Sequence, residues 1–254
     1  MRAFALSTGS SGNSFFVESS KGNRILIDVG LSYSRTKEIL NEKDIDIKSI
    51  DAILITHEHS DHILGLPNFL KNLKCKFYIT KGTLDEINYV DSKFVVVKHH
   101  ENFDVGDFKV FVIDKPHDAK EAVSYIVDDS VKRLGVFTDL GHVSNEIKHI
   151  LRTLDFIFLE ANYCENHIKN SKDNYNSNYL NRLMSDVGHL GLHQCYEALI
   201  DTCNDLQKTC LSHVSENTTT YENTYMQVRE KLAKNNKFPE LLIGFQGEPT
   251  EWVE

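Results

Sequence analysis

Apolar residues along this chain either alternate with polar ones or gather in runs of three or four, and the runs are punctuated by Gly, Asn and Ser. Residues 3–7, 15–18 and 24–28 read as strands, with turns at 8–13 and 20–23. A helical stretch follows through Leu40, then a buried strand at 51–56. A helix is predicted over about 63–73, with Pro67 near its first turn, where a missing N–H is tolerated. Strands at 76–80 and 94–97 flank a short helix near 83–88. Further strands fall at 108–113, 122–127 and 132–138, and Ser144 is placed to cap a helix through Leu151. The unbroken apolar run within 155–160 suits a strand buried on both faces. A polar stretch from 162 to 186 reads either as a solvated excursion or as a substrate-facing lid. Helices at 192–202 and 220–234 and strands at 208–212 and 241–245 complete the chain. No internal repeat is evident. Two sets of mostly antiparallel strands, each followed by helices, predict an α+β fold of two sheets packed face to face with helices outside. The whole chain, 1–254, is expected to form one domain.

Against this background residues 56–62 stand out, reading Thr-His-Glu-His-Ser-Asp-His directly after Ile53-Leu54-Ile55. Imidazole nitrogen and carboxylate oxygen together suit a borderline ion such as zinc. In an extended exit from a strand His57 and His59 point the same way, whereas Asp61 and His62 fall on the following turn and can face a second ion.

Composition excludes more than it selects. Hydrophobic residues make up 41% and charged residues 26%, as in ordinary globular proteins. No apolar run approaches a membrane span, so no membrane partner is expected. Residues 1–6 are too short an apolar stretch for a signal peptide. Five cysteines without a CxxC pair predict a reducing, cytoplasmic setting and no disulfide framework. With 28 basic against 37 acidic residues the net charge is −9, which disfavours passive gripping of duplex nucleic acid but leaves nucleic acid possible as a substrate.

Three later residues share one context, a polar side chain at the end of an apolar strand: His117, Asp139 (with Gly141 giving room for a tight turn) and His213. Taken with His57, His59, Asp61 and His62, this set resembles the metallo-β-lactamase superfamily over essentially the whole chain, with the H-x-H-x-D-H motif present without departure. The resemblance implies a four-layer αββα sandwich and two divalent metal ions, zinc first and manganese as the alternative. It implies that His57, His59 and His117 hold one ion, that Asp61, His62 and His213 hold the other, and that Asp139 bridges them. Asp28 matches an early aspartate that orients a ligand histidine.

Other segments narrow the branch. Residues 7–14 (Ser-Thr-Gly-Ser-Ser-Gly-Asn-Ser), 137–141 and 211–217 are similar to the YycJ/WalJ branch of cytoplasmic metallohydrolases. By itself the first segment reads first as a hairpin turn and second as an exposed turn whose backbone N–H groups can cradle an oxyanion. Residues 158–163 are similar to a segment of ribonuclease Z and its nuclease relatives, and Gly188-His189-Leu190 sits where those enzymes carry a histidine loop. The resemblance implies that Glu160 holds and polarises His189, which contacts a phosphate oxygen or protonates the leaving oxygen. The chain departs from that loop at Gly191, which makes His193 a substitute to consider.

The expectation is therefore a dinuclear metal-dependent phosphodiesterase, an exodeoxyribonuclease-like enzyme with DNA ahead of RNA as substrate. In it a hydroxide shared by ions about 3.5–4 Å apart attacks phosphorus in line, and Asp61 and Asp139 partly neutralise the ions. Three alternatives stay open: a small cyclic or nucleotide phosphodiester, a thioester, or a non-catalytic regulatory protein stabilised by metal. Oligomeric state is not readable from the sequence.

Overall fold

The extended runs and amphipathic stretches become regular elements in a computed structural model that describes residues 1–170 and 175–254. The described residues form two compact units, one of 1–115, 119–133 and 246–254, the other of 116–118 and 134–245.

In the first unit, β1 (Arg2–Ser7), β2 (Ser14–Glu18) and β3 (Arg24–Ile27) form an antiparallel meander. Helix α1 (Tyr33–Glu42), capped by the Ser32 hydroxyl, which accepts from the Arg35 N–H, carries the chain over to β4 (Ala52–Leu54). Because a helix intervenes, β4 runs parallel to β3. Helices α2 (Ser60–Ile63) and α3 (Leu66–Asn72) lead to β5 (Lys76–Thr80), and α4 (Lys81–Glu86) to β6 (Phe94–Val97), both again parallel. The six strands lie in sequence order. Strands β7 (Asn102–Val105), β8 (Phe108–Asp114) and β9 (Val123–Asp128) form a second antiparallel meander. Phe4, Phe16, Phe69 and Phe77 are fully buried in this unit's core, each contributing about 1.5–3 kcal/mol by burial.

The second unit is built from crossovers. Strand β10 (Arg133–Phe137) leads through α5 (Asn145–Leu151) to β11 (Phe156–Glu160). The chain then passes through α6 (Glu165–Asn170), α7 (Ser177–Leu183) and α8 (Leu192–Thr202) to β12 (Lys208–Ser212), and through α9 (Tyr221–Lys234) to β13 (Glu240–Ile243). All three strand pairs are parallel.

Three expectations need correction. Antiparallel pairing does not dominate, because helical crossovers return the chain to the same end of the sheet wherever one intervenes. The helix predicted over 63–73 is two helices: it starts earlier, at Ser60, and breaks at Gly65, whose N–H turns aside to the carbonyl of Val29. Strand β7 was not legible in its polar run. Of the polar stretch 162–186, residues 171–174 lie outside the described residues, and α6 and α7 occupy much of the remainder. No helix among the described residues is long and apolar enough to cross a membrane.

Candidate metal centre

Parallel strands end side by side, so the residues that follow them meet at one edge. In the first unit Ile27 is in register with Leu54, which sets Asp28 beside Ile55, Thr56 and His57. Asp28 turns through a left-handed conformation (φ 62°), which costs a non-glycine residue of order 1 kcal/mol and persists where surrounding contacts fix it. Those contacts are strong. Asp28 Oδ1 accepts the Thr56 N–H at 2.8 Å, and Oδ2 accepts both the Thr56 hydroxyl (2.8 Å) and Nδ1 of His62 (2.7 Å). With its proton committed to Asp28, the Thr56 oxygen accepts from His57 Nδ1 at 2.9 Å. One buried carboxylate thereby holds His62 with Nδ1 protonated and Nε2 presenting its lone pair, and it reaches His57 through Thr56, where Lys115 Nζ also stands 3.5 Å from Nδ1.

The rest of the motif follows from the turn. His59 is the N-cap residue of α2, and Asp61 and His62 lie in its first turn. The ring of His57 stands 4.7 Å from that of His59 and 4.1 Å from that of His62. Glu58 faces elsewhere, accepting from the Lys120 N–H and the Thr83 hydroxyl. The segment 7–14 is tied to this turn. Asn13 donates from Nδ2 to Asp61 Oδ2 at 3.1 Å and lies 3.1 Å from His62 Nε2, while its backbone N–H donates to the Asp61 carbonyl at 2.7 Å. Gly30 permits that approach, since a Cβ there would stand 1.8 Å from the Asp61 carbonyl oxygen. Of the two readings of this segment, its hydrogen bonds favour the plain turn over the anion cradle. The Gly9 and Ser11 amides donate to the side chains of Asn13 and Gln246, the Gly12 amide to Gly9 and the Asn13 amide to Asp61. The segment orients Asp61 instead.

In the second unit the register pairs Phe137 with Leu159 and Glu160 with Ser212, so Asp139, Glu160 and His213 emerge in one row. Asp139 (φ 55°) and His213 (φ 54°) both leave their strands through left-handed turns, as Asp28 does. Residues 116–118 join this unit: the Gly141 N–H donates to the Pro116 carbonyl, the Asp118 N–H to that of Val187, and His117 Nδ1 to the Gly188 carbonyl at 3.1 Å. Gly141 is needed there, because a Cβ would meet the Asp186 carbonyl oxygen at 2.1 Å.

Glu160 organises this row. Its Oε1 accepts from Nδ1 of both His189 and His213, each at 2.8 Å, and its Oε2 accepts the N–H groups of Leu140 (2.6 Å) and Leu190 (3.2 Å). Burial alone would raise its pKa. The charge of His189 and the hydrogen bonds from both histidines outweigh that and bring it down to about 2. Asn162 Nδ2 reinforces His213 through its carbonyl (2.8 Å) and lies 3.0 Å from its Nδ1.

The donor set fits a divalent ion. Two atoms bound to one ion at about 2.0–2.2 Å stand ~3–3.5 Å apart. His117 Nε2 and His213 Nε2 lie 3.8 and 3.6 Å from Asp139 Oδ1, too far for hydrogen bonds and close to that spacing. Asp139, Glu160, His189 and His213 also bring ligand-type atoms within 4.8 Å of one another, but Glu160 Oε1 and both Nδ1 atoms are paired there, which leaves Asp139 and Nε2 of His213 as the donors toward an ion. His193 does not join them, since its ring packs on Tyr196. Nor does His189 cap α8: its N-cap residue is Gly191, whose N–H is taken by Gln194.

Three contributors were not singled out from sequence. Asn13 and Asn162 lay inside the quoted segments 7–14 and 158–163, and Thr56 immediately precedes the histidine motif. That position was their signal.

Comparison with known proteins agrees with the geometry. The beta-lactamase superfamily domain matches residues 23–214. The chain is 32% identical over 239 residues to the protein named exodeoxyribonuclease WalJ of Streptococcus pneumoniae serotype 2, covering 90% of this chain and 87% of that one. It is 28% identical over 240 residues to the protein named exodeoxyribonuclease YycJ of Bacillus anthracis, covering 89% and 87%. The crystal structure of the metallo-β-lactamase fold protein YhfI from Bacillus subtilis superposes with a TM-score of 0.75 over 98% of this chain and 99% of that one, at 12% identity. The fold is the α+β, αββα class that the sequence implied. The chain belongs to the metallo-β-lactamase superfamily of hydrolases and, within it, to the YycJ/WalJ branch.

Proposed function

We propose that this protein is a two-metal phosphodiesterase that degrades nucleic acid from an end, with DNA as its substrate. His57, His59 and His117 would hold one ion, Asp61, His62 and His213 the other, and Asp139 would serve both. The mixed nitrogen and oxygen donors favour zinc, with manganese next. Bound ions would supply Lewis acidity toward a phosphoryl oxygen and lower the pKa of water. Asp61 and Asp139 bring the negative charge that offsets them.

The observation that carries the phosphodiester reading is the Glu160–His189 pair, at 2.8 Å, with His189 Nδ1 3.7 Å from Asp139 Oδ1. Glu160 fixes the ring through Nδ1, so a protonated His189 offers its Nε2–H to a departing oxygen. A phosphodiester leaves behind an alkoxide that needs such a proton. His189 keeps partial solvent access (side chain 15% exposed), as a residue touching substrate must. The names of the YycJ and WalJ relatives support DNA. The net charge of −9 favours ends and single strands over long duplexes.

The deciding experiment assays 5′-labelled single- and double-stranded DNA and RNA beside bis-p-nitrophenyl phosphate, with zinc and manganese each supplied. His189→Ala is expected to retain its metal while turnover falls about 10²–10⁴-fold. Unchanged turnover in that variant would remove His189 from the reaction, and hydrolysis of thioesters alone would overturn the phosphodiester reading.

A further inference from the structure

Beyond the reacting groups, the second unit carries a surface suited to the substrate's chain, an inference that rests on the nuclease reading above. We propose that Tyr179, Arg182 and the exposed face of α7 form a track for single-stranded nucleic acid leading to His189.

The helix is anchored to the candidate site at both ends. Before it, the Tyr175 hydroxyl donates to the Asn217 carbonyl at 2.5 Å, in the turn that follows His213. At its C-terminal end, Arg182 donates from Nε and Nη2 to the two carboxylate oxygens of Asp118 at 2.5 and 3.0 Å. Asp118 Oδ1 in turn lies 3.5 Å from His117 Nε2. The Leu183 carbonyl accepts the N–H of His189 itself at 2.9 Å.

Leu180 and Leu183 are buried in a small cluster with Tyr163 and Ile168, which fixes the face that α7 turns outward. That face presents Tyr179, 38% exposed, and Arg182, whose side chain is 55% exposed. The rings of Tyr175 and Tyr179 lie 6.5 Å apart and within 23° of parallel.

The chemistry selects the occupant. In a chain of net charge −9, residues 175–184 contain no Asp or Glu, and they supply Asn176, Asn178 and Asn181 as uncharged donors and acceptors. A strip that carries no acid of its own, an exposed tyrosine and a guanidinium that Asp118 holds in place through two of its N–H groups suit a polyanion that also carries flat rings. Bases stack on aromatic faces with little regard to sequence, and phosphates take the cation.

The test uses the metal-loaded full chain. Binding of 5′-fluorescein-labelled phosphorothioate dT10 and of rU10 is read by fluorescence anisotropy across a salt series, and kcat/KM is measured on dT10 and on bis-p-nitrophenyl phosphate. Loss of one stacked base corresponds to about a 5- to 150-fold weaker Kd. Tyr179→Ala should weaken binding in that range and reduce by a similar factor the preference for dT10 over the small diester, while Tyr179→Trp restores both. Arg182→Gln should lower the slope of log K against log salt by about 0.7, one phosphate contact on a single strand. Stronger binding of dT10 or of rU10 assigns the sugar and supports the track either way. Wild-type affinity in Tyr179→Ala, or an equal fall on both substrates, would overturn the track with the nuclease reading intact. If the wild-type chain cleaves the small diester but binds neither oligonucleotide, the nuclease reading fails and the track with it.

Discussion

Nδ1 of His213 donates to Oε1 of Glu160 at 2.8 Å, and the same oxygen accepts Nδ1 of His189 at the same distance. A single carboxylate thus stands behind a candidate metal ligand and behind the candidate proton donor. The two roles that the sequence separated, metal binding at His213 and acid chemistry at His189, share one buried support.

Glu160→Gln should therefore do two kinds of damage. With its oxygen in the place of Oε1 the amide still accepts from both imidazoles but turns N–H groups toward the Leu140 and Leu190 amides, and flipped over it turns them toward both imidazoles. Loss of such a support typically lowers metal affinity or activity about 10–100-fold. The expected result is weaker binding of one metal equivalent together with lower turnover, whereas His189→Ala lowers turnover alone. Elemental analysis of both variants after identical dialysis separates them, and full metal content in Glu160→Gln would limit its part to His189.

Asp28 plays the corresponding part in the first unit, holding His62 directly and His57 through Thr56. Asp28→Asn keeps the size but replaces one acceptor oxygen with a donor, so His62 loses its enforced tautomer. A fall of about 10–100-fold in metal affinity is expected. Competition with a chromogenic chelator measures it, and unchanged affinity would show that the tautomer is set elsewhere.

Metal content itself is checkable. The protein is expected to carry about two equivalents, to lose activity on treatment with a strong chelator and to regain it with zinc or manganese. Asp139→Ala should remove at least one equivalent and the activity with it. Full activity after exhaustive chelation, with the ions shown to be gone, would exclude the two-metal reading.

Acid stability offers a test away from the metal centre. Asp129 is buried, and its carboxylate accepts the N–H groups of Ser20, Val131 and Lys132 at 2.8, 3.1 and 2.8 Å. Burial pushes its pKa up, but those hydrogen bonds outweigh burial and hold it well below the usual carboxylate range. A depressed folded-state pKa means that the contribution is complete above the unfolded value of about 3.9 and is lost as pH falls through the folded one. Asp129→Ala should cost about 1–3 kcal/mol near neutrality, and the gap to wild type should narrow below about pH 4. Urea midpoints of both chains in chelator, at pH 7 and pH 3, decide it. A gap that does not change with pH would mean that shape, not charge, is what matters there.

Much of this was written in the chain. The motif at 57–62 announced itself because its ligands are local, and a strand exit followed by one helical turn needs only short-range geometry to display them. Ser144 marked a helix start for the same reason, and it caps as expected. Strand direction was not local. Whether β10 and β11 run parallel depends on a crossover through α5, and alternation of apolar residues reads the same in either direction.

The sequence by itself determined the candidate ligand types, the superfamily and the candidate acid at His189. Tertiary structure alone decided that Glu160 supports His213 as well as His189, that Asp28 holds His62 and reaches His57 through Thr56, and that Asn13 holds Asp61. Those facts depend on parallel register, on left-handed turns at Asp28, Asp139 and His213, and on close approach at Gly30 and Gly141. The physical reason is one of range. A residue's chemistry is carried by its own side chain, but its protonation state and aim are set by partners that the fold brings from tens of residues away.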